Sequence, residues 1–275
     1  MYYHDWQTSV VRNPLYQTAE LRRYAKAVGW PAAIRLRYWD FKVRAGVSGP
    51  SSLEVKLKNA AFPILMRTHT SDRDVLWQVF IQEEYEPVKL SNPEMIIDLG
   101  ANVGYSGAYF LSKYPTATVL AVEPDPDNYA ICLHNLAPYG QRAKVIQGAA
   151  WPECANVVLD KGTYRDGRDW ATRVRPATES ASTNADAGIN GYDVETLISL
   201  CSSAEVDLLK IDIEGSELEL FSRNTETWLP RVKNLCVELH GQDCEEVFFR
   251  ALSKYSYELV LARDVTVCRN LRIRQ

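Results

Sequence analysis

The strongest constraint on this chain is a change of pattern near residue 95. From there, continuous apolar runs alternate with segments of helical spacing. MIIDLG (95–100), TVLAVE (118–123) and AKVIQGAA (143–150) are separated by helix-like stretches at 105–113 and 126–137. VDLLKIDIEG (206–215), VKNLCVELHG (232–241), YELVLARDV (257–265) and VCRNLRIR (267–274) follow. Apolar runs without polar alternation need cover on both faces, so they predict a mostly parallel sheet between helical layers. The last two runs are joined too tightly for a crossover and predict an antiparallel hairpin. The expected fold class is therefore α/β, with a mostly parallel seven-stranded sheet and a C-terminal antiparallel hairpin. At 275 residues, with 46% hydrophobic and 24% charged residues, the chain fits one globular domain with an N-terminal extension. The boundary is expected at 90/91, with residues 1–90 as extension and 91–275 as the sheet domain.

The extension is basic. Residues 1–60 carry ten Lys/Arg and four acids, a charge of +6, which leaves −10 for the rest of a chain whose net charge is −4. Bulk charge therefore argues against a nucleic-acid binder. In ELRRYAKAVGWPAAIRLRYWDFK, Leu21, Tyr24, Ala25 and Val28 share one helical face, and Pro31 is expected to end the helix. A basic amphipathic helix of this kind could meet an acidic substrate, a membrane surface or a second subunit, so a homo-oligomer through the extension is one expectation. Residues 53–67 predict two short strands around a turn. In the next helix, Ser71 is the expected cap, with Asp74 three residues on and Val75, Val79 and Phe80 as core face. The polar stretch 160–193 predicts a hairpin and a mobile loop. No apolar run reaches the roughly 18 residues of a membrane span, and the first residues lack a signal-peptide pattern, so a cytoplasmic protein is expected. The six cysteines form no CxxC pair and are expected to be buried thiols.

Two stretches carry the chemistry. IIDLGANVGYSG (96–107) delivers Asp98 on a strand, passes through a glycine turn and opens a helix. Gly100, Gly104 and Gly107 let backbone approach a ligand, and Asn102 and Ser106 lie on the same turn. The GxxxGxxG spacing differs from the GxGxxG that cradles a pyrophosphate. It suits a ligand without phosphate, whose amino-acid part needs backbone groups and a carboxylate for its ammonium, a task Asp98 could serve by direct contact or through water. Glu123 closes the second strand, where an acid accepts both ribose hydroxyls of a nucleoside. Asp125 and Asn128 follow on the loop and helix start, with Asp125 read either as a ligand contact or as a helix cap. Ala149, Ala150 and Trp151 end the third strand and could line a base, Trp151 being equally readable as core.

LLKIDIEGSE (208–217) places Asp212 and Glu214 two apart at a strand end, with Lys210 deeper and ready to pair with an acid. The next strand ends VELHG, adding Glu238 and His240. Acids gathered at the carboxyl edge of an open sheet need a cationic partner. It could be a ligand ammonium or sulfonium, a substrate amine, or a divalent metal held by Asp212, Glu214, Glu238 and His240. Histidine, with a pKa near ~6.5, is the expected general base.

IIDLGANVGYSG, AVEPDPDNY, LLKIDIEGSE and VELHG together resemble the FkbM-type S-adenosylmethionine-dependent methyltransferases, and PILMRTHTSDRDVLWQVFIQEEY resembles the segment before their first core strand. The resemblance covers about residues 60–270. It implies a Rossmann-like class I methyltransferase fold and an O-methyltransferase acting on a hydroxyl of a natural product, sugar or lipid, with S-adenosylmethionine as cofactor. It assigns Asp98, Gly100, Asn102 and Gly104 to the cofactor turn and Glu123 to the ribose. It puts Asp212, Glu214, Glu238 and His240 at the reaction centre and Tyr85 over the cofactor. The NPPY/DPPY motif of nucleobase-methylating enzymes is absent. The expected reaction has His240 take the proton while Asp212 and Glu214 position the acceptor. The alternatives are an NAD-dependent oxidoreductase on the same sheet and a non-catalytic subunit that binds the cofactor.

Overall fold

The computed structural model describes residues 14–44, 47, 49–160, 173–176 and 188–274. They divide into two units after Gln82 rather than at 90/91. The earlier boundary has a packing reason. Tyr85 lies against Phe110, with ring centroids 5.2 Å apart, and Tyr114 donates a hydrogen bond to the carbonyl of Val88 at 2.8 Å. Residues 83–90 are thus tied to the sheet unit.

In the first unit, helices α1 (Pro14–Val28) and α2 (Trp30–Arg44) are separated by Gly29. This residue adopts φ 83°, a left-handed conformation that ends a helix at little cost to glycine. Pro31 therefore does not end a helix, as its position suggested, but lies in the first turn of α2. There its missing N–H has no bond to lose. Tyr24, Ala25 and Ala33 form a small core with Leu21, Val28, Leu36, Trp77 and Ile81. Strands β1 (Ser52–Val55) and β2 (Ile64–Arg67) pair antiparallel, as the sequence pattern predicts. Helix α3 (Asp72–Leu76) runs into a π-helical turn, Trp77–Ile81. Ser71 precedes it in a helical conformation and makes no side-chain cap. Asp72 is buried instead, accepting the Arg67 backbone N–H at 2.9 Å and pairing with its guanidinium at 2.7 Å.

The second unit is built on strands β3 (Met95–Leu99), β4 (Thr118–Glu123) and β5 (Ala143–Gln147), with α4 (Tyr105–Lys113) and α5 (Pro126–Leu136) between them. A smaller sheet follows, of β6 (Ala149–Ala150), β7 (Ala155–Asp160), β8 (Arg173–Pro176) and β9 (Ile189–Tyr192). The antiparallel pair β7–β8 meets the expected hairpin only in part, because β7 lies ahead of the 160–193 stretch save for its last residue and only β8 lies within it. The expected loop falls largely on residues 161–172 and 177–187, outside the described residues. The chain returns through α6 (Val194–Ser199), β10 (Leu208–Ile211), α7 (Glu217–Ser222), α8 (Thr225–Trp228), β11 (Leu235–Glu238) and α9 (Gln242–Ala251). The hairpin β12 (Tyr255–Ala262) and β13 (Val265–Ile273) ends it.

The main sheet has the order β12-β13-β11-β10-β3-β4-β5. Strands β5, β4, β3, β10 and β11 are parallel, and β13 and β12 are antiparallel. This is the Rossmann-like class I methyltransferase fold. Every residue of β3 and of β10 is buried, which explains their unbroken apolar runs. From β3 the chain winds to one side through β4 and β5, then crosses to the other through β10 and β11. The carboxyl ends of β3, β4 and β10 therefore border the crevice at the switch point, where open α/β sheets bind ligands. All six cysteines are free thiols; four are buried, whereas Cys201 is half-buried and Cys154 exposed.

Gly100 marks where β3 and β10 come closest. A Cβ there would lie 1.7 Å from the carbonyl oxygen of Asp212, and φ is +74°. Gly100→Ala should cost on the order of 4 kcal/mol or more. Gly29→Ala meets no atom within 4 Å and carries only conformational strain, about 1–2 kcal/mol. Thermal unfolding of the two variants should show the larger loss for Gly100.

Candidate active site

Strand β3 carries Asp98 to the bottom of the crevice, but its carboxylate is consumed inside the fold. It is fully buried, with Oδ1 3.1 Å from Lys210 Nζ and Oδ2 accepting from Ser106 Oγ at 2.5 Å. Lys210, from the adjacent position on β10, also donates to the carbonyl of Gly100 at 2.8 Å. Its Nζ lies 3.7 Å from Asp212 Oδ2. Burial alone would strip the lysine of its proton, but Asp98 and Asp212 more than offset this and raise its pKa. Of the two residues placed among ligand contacts by sequence, Asp98 is thus the partner of a buried lysine and Ser106 the partner of Asp98.

The glycine turn and Glu123 form one unit. The N–H groups of Gly100 and Ala101 both donate to the carbonyl of Val122 at 3.0 Å. This folds the turn over the end of β4. Asn102, at φ 50°, then donates its backbone N–H to Glu123 Oε2 at 2.8 Å, and Asp125 donates its own to Oε1 at 2.9 Å. Each carboxylate oxygen so keeps acceptor capacity for a further donor. Burial raises the Glu123 pKa to about 7, against the pull of these two N–H bonds and Lys210. Gly104, at φ 81°, opens α4 with its missing side chain facing Cys132. The Asp125 side chain accepts from the N–H groups of Asp127 and Asn128 at 2.8 and 3.0 Å, capping α5. Of the two readings of Asp125, the structure shows the cap. Ala150 is buried in the main core, and Trp151 belongs to the core of the smaller sheet with Ala149, Val157 and Val174. Tyr85 is buried against Tyr109 and Phe110. Its phenol is pushed up by burial and then by Glu84 and Asp212.

That cluster occupies the ends of β10 and β11. Asp212 and Glu214 meet as their spacing predicts, although the strand ends at Ile211 and a turn with Glu214 at φ 53° brings them together. Around His240 Nε2 lie Glu238 Oε1 at 3.4 Å, Glu214 Oε2 at 3.6 Å and Asp212 Oδ1 at 3.8 Å. Its Nδ1 is 3.1 Å from Glu217 Oε1. Glu217 is itself fully buried and accepts the N–H groups of Ile213 at 2.8 Å and Gly215 at 2.9 Å. Burial lowers the imidazole pKa, but Glu217, Glu238 and Asp212 push it up to about 12. Glu238 is raised by burial and by Asp212.

Two members went unread in the sequence. Glu217, in KIDIEGSE, orients the histidine. Glu84, in QEEY, is buried, and its pKa is raised to about 8, first by burial, then by Glu238 and Asp212. An acid adjacent to a buried tyrosine was the available signal for Glu84.

Comparison with known proteins agrees with this architecture. Residues 98–259, more than half of the chain, match the methyltransferase FkbM domain. The chain belongs to the FkbM methyltransferase family. It is 26% identical over 188 residues to methyltransferase sdnD of Sordaria araneosa, covering 58% of this chain and 72% of that one. It is 27% identical over 205 residues to 2-O-methyltransferase NoeI of Sinorhizobium fredii (strain NBRC 101917 / NGR234), covering 71% and 80%. A third relative is the 31-O-demethyl-FK506 methyltransferase FkbM of Streptomyces tacrolimicus, 25% identical with 57% and 69% covered. Among solved structures, a methyltransferase from Geobacter sulfurreducens aligns over 89% of this chain and 90% of its own, with TM-score 0.39 and 11% identity. No helix among the described residues is long and apolar enough to cross a membrane.

Removing Lys210 while leaving Asp98 would strand a buried carboxylate. Lys210→Met should destabilise the protein by about 3–5 kcal/mol. Adding Asp98→Asn should restore part of that loss, as read by chemical denaturation.

Proposed function

We propose that this protein transfers the methyl group of S-adenosylmethionine to a hydroxyl oxygen of a small molecule. The observation that carries the proposal is the Glu123 carboxylate. It is buried at the end of the second strand and held by two backbone N–H groups. The acid cluster at the ends of β10 and β11 lies on the same carboxyl edge of the parallel strands. Such a carboxylate fits the paired hydroxyls of a ribose. The Gly100–Asn102 backbone would pass beside the amino-acid part of the cofactor, and Ala150 and Asn128 border the side on which a base would stack. When bound, the cofactor supplies an electrophilic methyl group on a sulfonium.

The residues of the cluster then divide their work. The acceptor hydroxyl docks against Asp212 and Glu214, which align its oxygen for in-line attack. Alignment in a closed site supplies most of the rate gain. The sequence suggested His240 as the base, but its Nδ1 is committed to Glu217 and its Nε2 faces three carboxylates that favour a retained proton. Glu214 is therefore the better proton acceptor, and His240 the group that gathers the acids around it. O-directed chemistry is supported by the names of two relatives, a 2-O- and a 31-O-methyltransferase. Family membership removes the support for an oxidoreductase. The non-catalytic alternative predicts cofactor binding with no turnover on any acceptor.

Two outcomes test this reading. Glu214→Gln should lower kcat by about 100-fold or more, with S-adenosylhomocysteine affinity by calorimetry unchanged; loss of that affinity with kcat preserved would contradict the assignment. Ribose hydroxyls donate to an ionised carboxylate, so affinity should fall as the pH drops through about 7 and Glu123 takes up its proton. The limit is about tenfold per pH unit. Glu123→Gln should bind roughly 10- to 100-fold more weakly and lose this dependence.

A further inference from the structure

The hydrogen bonds of the fold leave the nitrogen at the centre of the cluster unexplained. The His240 side chain is 0% exposed, yet its Nε2 makes no hydrogen bond among the described residues. The ring is not there by loose packing. Glu217 fixes Nδ1, and two backbone N–H groups fix Glu217. The other nitrogen is thereby aimed at Asp212 and Glu238, the side chains of which are 29% and 24% exposed and so reach the crevice. A buried imidazole with one nitrogen tethered to a carboxylate and the other turned to further carboxylates is the arrangement found around metal-bound histidines.

The distances agree with this. One donor atom each from Asp212, Glu238 and His240 lies within 4.8 Å of the other two. Ligands opposite one another across an ion at about 2.1–2.2 Å are roughly 4.3 Å apart. Closure onto an ion thus needs only small side-chain adjustments. The cluster also sets four carboxylates, Asp212, Glu214, Glu217 and Glu238, against one imidazole and a lysine, Lys210, that Asp212 shares with Asp98. That surplus of negative charge in a half-buried place favours a bound cation.

We propose that Asp212, Glu238 and His240 bind one divalent first-row transition metal ion, which takes the place of the proton that His240 Nε2 keeps in its absence, with Glu217 as the positioning residue behind the histidine. A donor set of one imidazole nitrogen and two carboxylate oxygens suits Mn2+ or Fe2+. It is poor for Ca2+, which takes six to eight oxygens. The positions left open face the crevice. Only the consequence of the ion rests on the methyl-transfer reading: an acceptor hydroxyl bound to it would ionise more readily, easing removal of its proton.

The test is a titration of the chelator-treated full-length protein with Mn2+, followed by electron paramagnetic resonance. One equivalent should bind saturably. Asp212→Asn and Glu238→Gln should each weaken binding at least tenfold. Glu217→Gln should weaken it about 10- to 100-fold by freeing the ring. Melting temperature and S-adenosylhomocysteine affinity of Glu238→Gln, both expected to be retained, show that the variant is folded. The proposal is overturned if Mn2+ does not bind saturably, if the variants bind it as well as the parent, or if Ca2+ competes on equal terms. A chain that binds S-adenosylhomocysteine but not Mn2+ loses the ion site and keeps the methyl-transfer reading. One that binds Mn2+ but not the nucleoside does the reverse.

Discussion

One buried lysine holds this structure's working edge together. Lys210 reaches from β10 to Asp98 and to the carbonyl of Gly100 on the neighbouring strand, and its ammonium also lies near Asp212. A buried ammonium must be nearly surrounded by acceptors or lose its charge. The turn after β3 and the motif after β10 therefore cannot move apart without stranding it. The approach is so close that position 100 has no room for a side chain. The glycine turn, in this light, is shaped as much by the lysine beneath it as by any ligand above it.

From that anchor the site extends in two directions. Toward β4, the turn lays the N–H of Asn102 on Glu123, the carboxylate proposed to receive a pair of hydroxyls. Toward β11, the chain leaves β10 through Asp212 and Glu214 and enters α7 at Glu217, which reaches back to two of its own backbone N–H groups and across to His240. The KIDIEGSE stretch is thus a single device. Its lysine secures the strand, its first two acids face the crevice, and its last acid sets the angle of a histidine on the next strand.

Most of the sheet was legible from residue order alone, because strands buried on both faces leave continuous apolar runs and tightly joined ends leave only a hairpin. The meeting of Asp212, Glu214, Glu238 and His240 was legible for the same reason: adjacent parallel strands bring their ends together. What residue order concealed were choices among chemically equivalent partners. Asp98 has the right position for a ligand contact, and nothing in its neighbours reveals that Lys210 claims it from another strand. Pro31 can end a helix or begin one, and only Gly29 before it decides. Ser71 has the identity of a cap, but Asp72, bound to Arg67, takes over the local hydrogen bonding. Glu217 reaches His240 through a tertiary contact, and Glu84 feels the charges of Glu238 and Asp212, with no local period to mark either.

The central claim is that Glu123 grips the ribose of a nucleoside cofactor while Asp98 stays with Lys210. A crystal structure of the protein with S-adenosylhomocysteine tests it most directly. Both ribose hydroxyls should lie within hydrogen-bond distance of the Glu123 carboxylate, with the Asp98–Lys210 pair undisturbed. A ribose placed elsewhere, or an Asp98 that leaves its lysine to meet the ligand, would contradict the account.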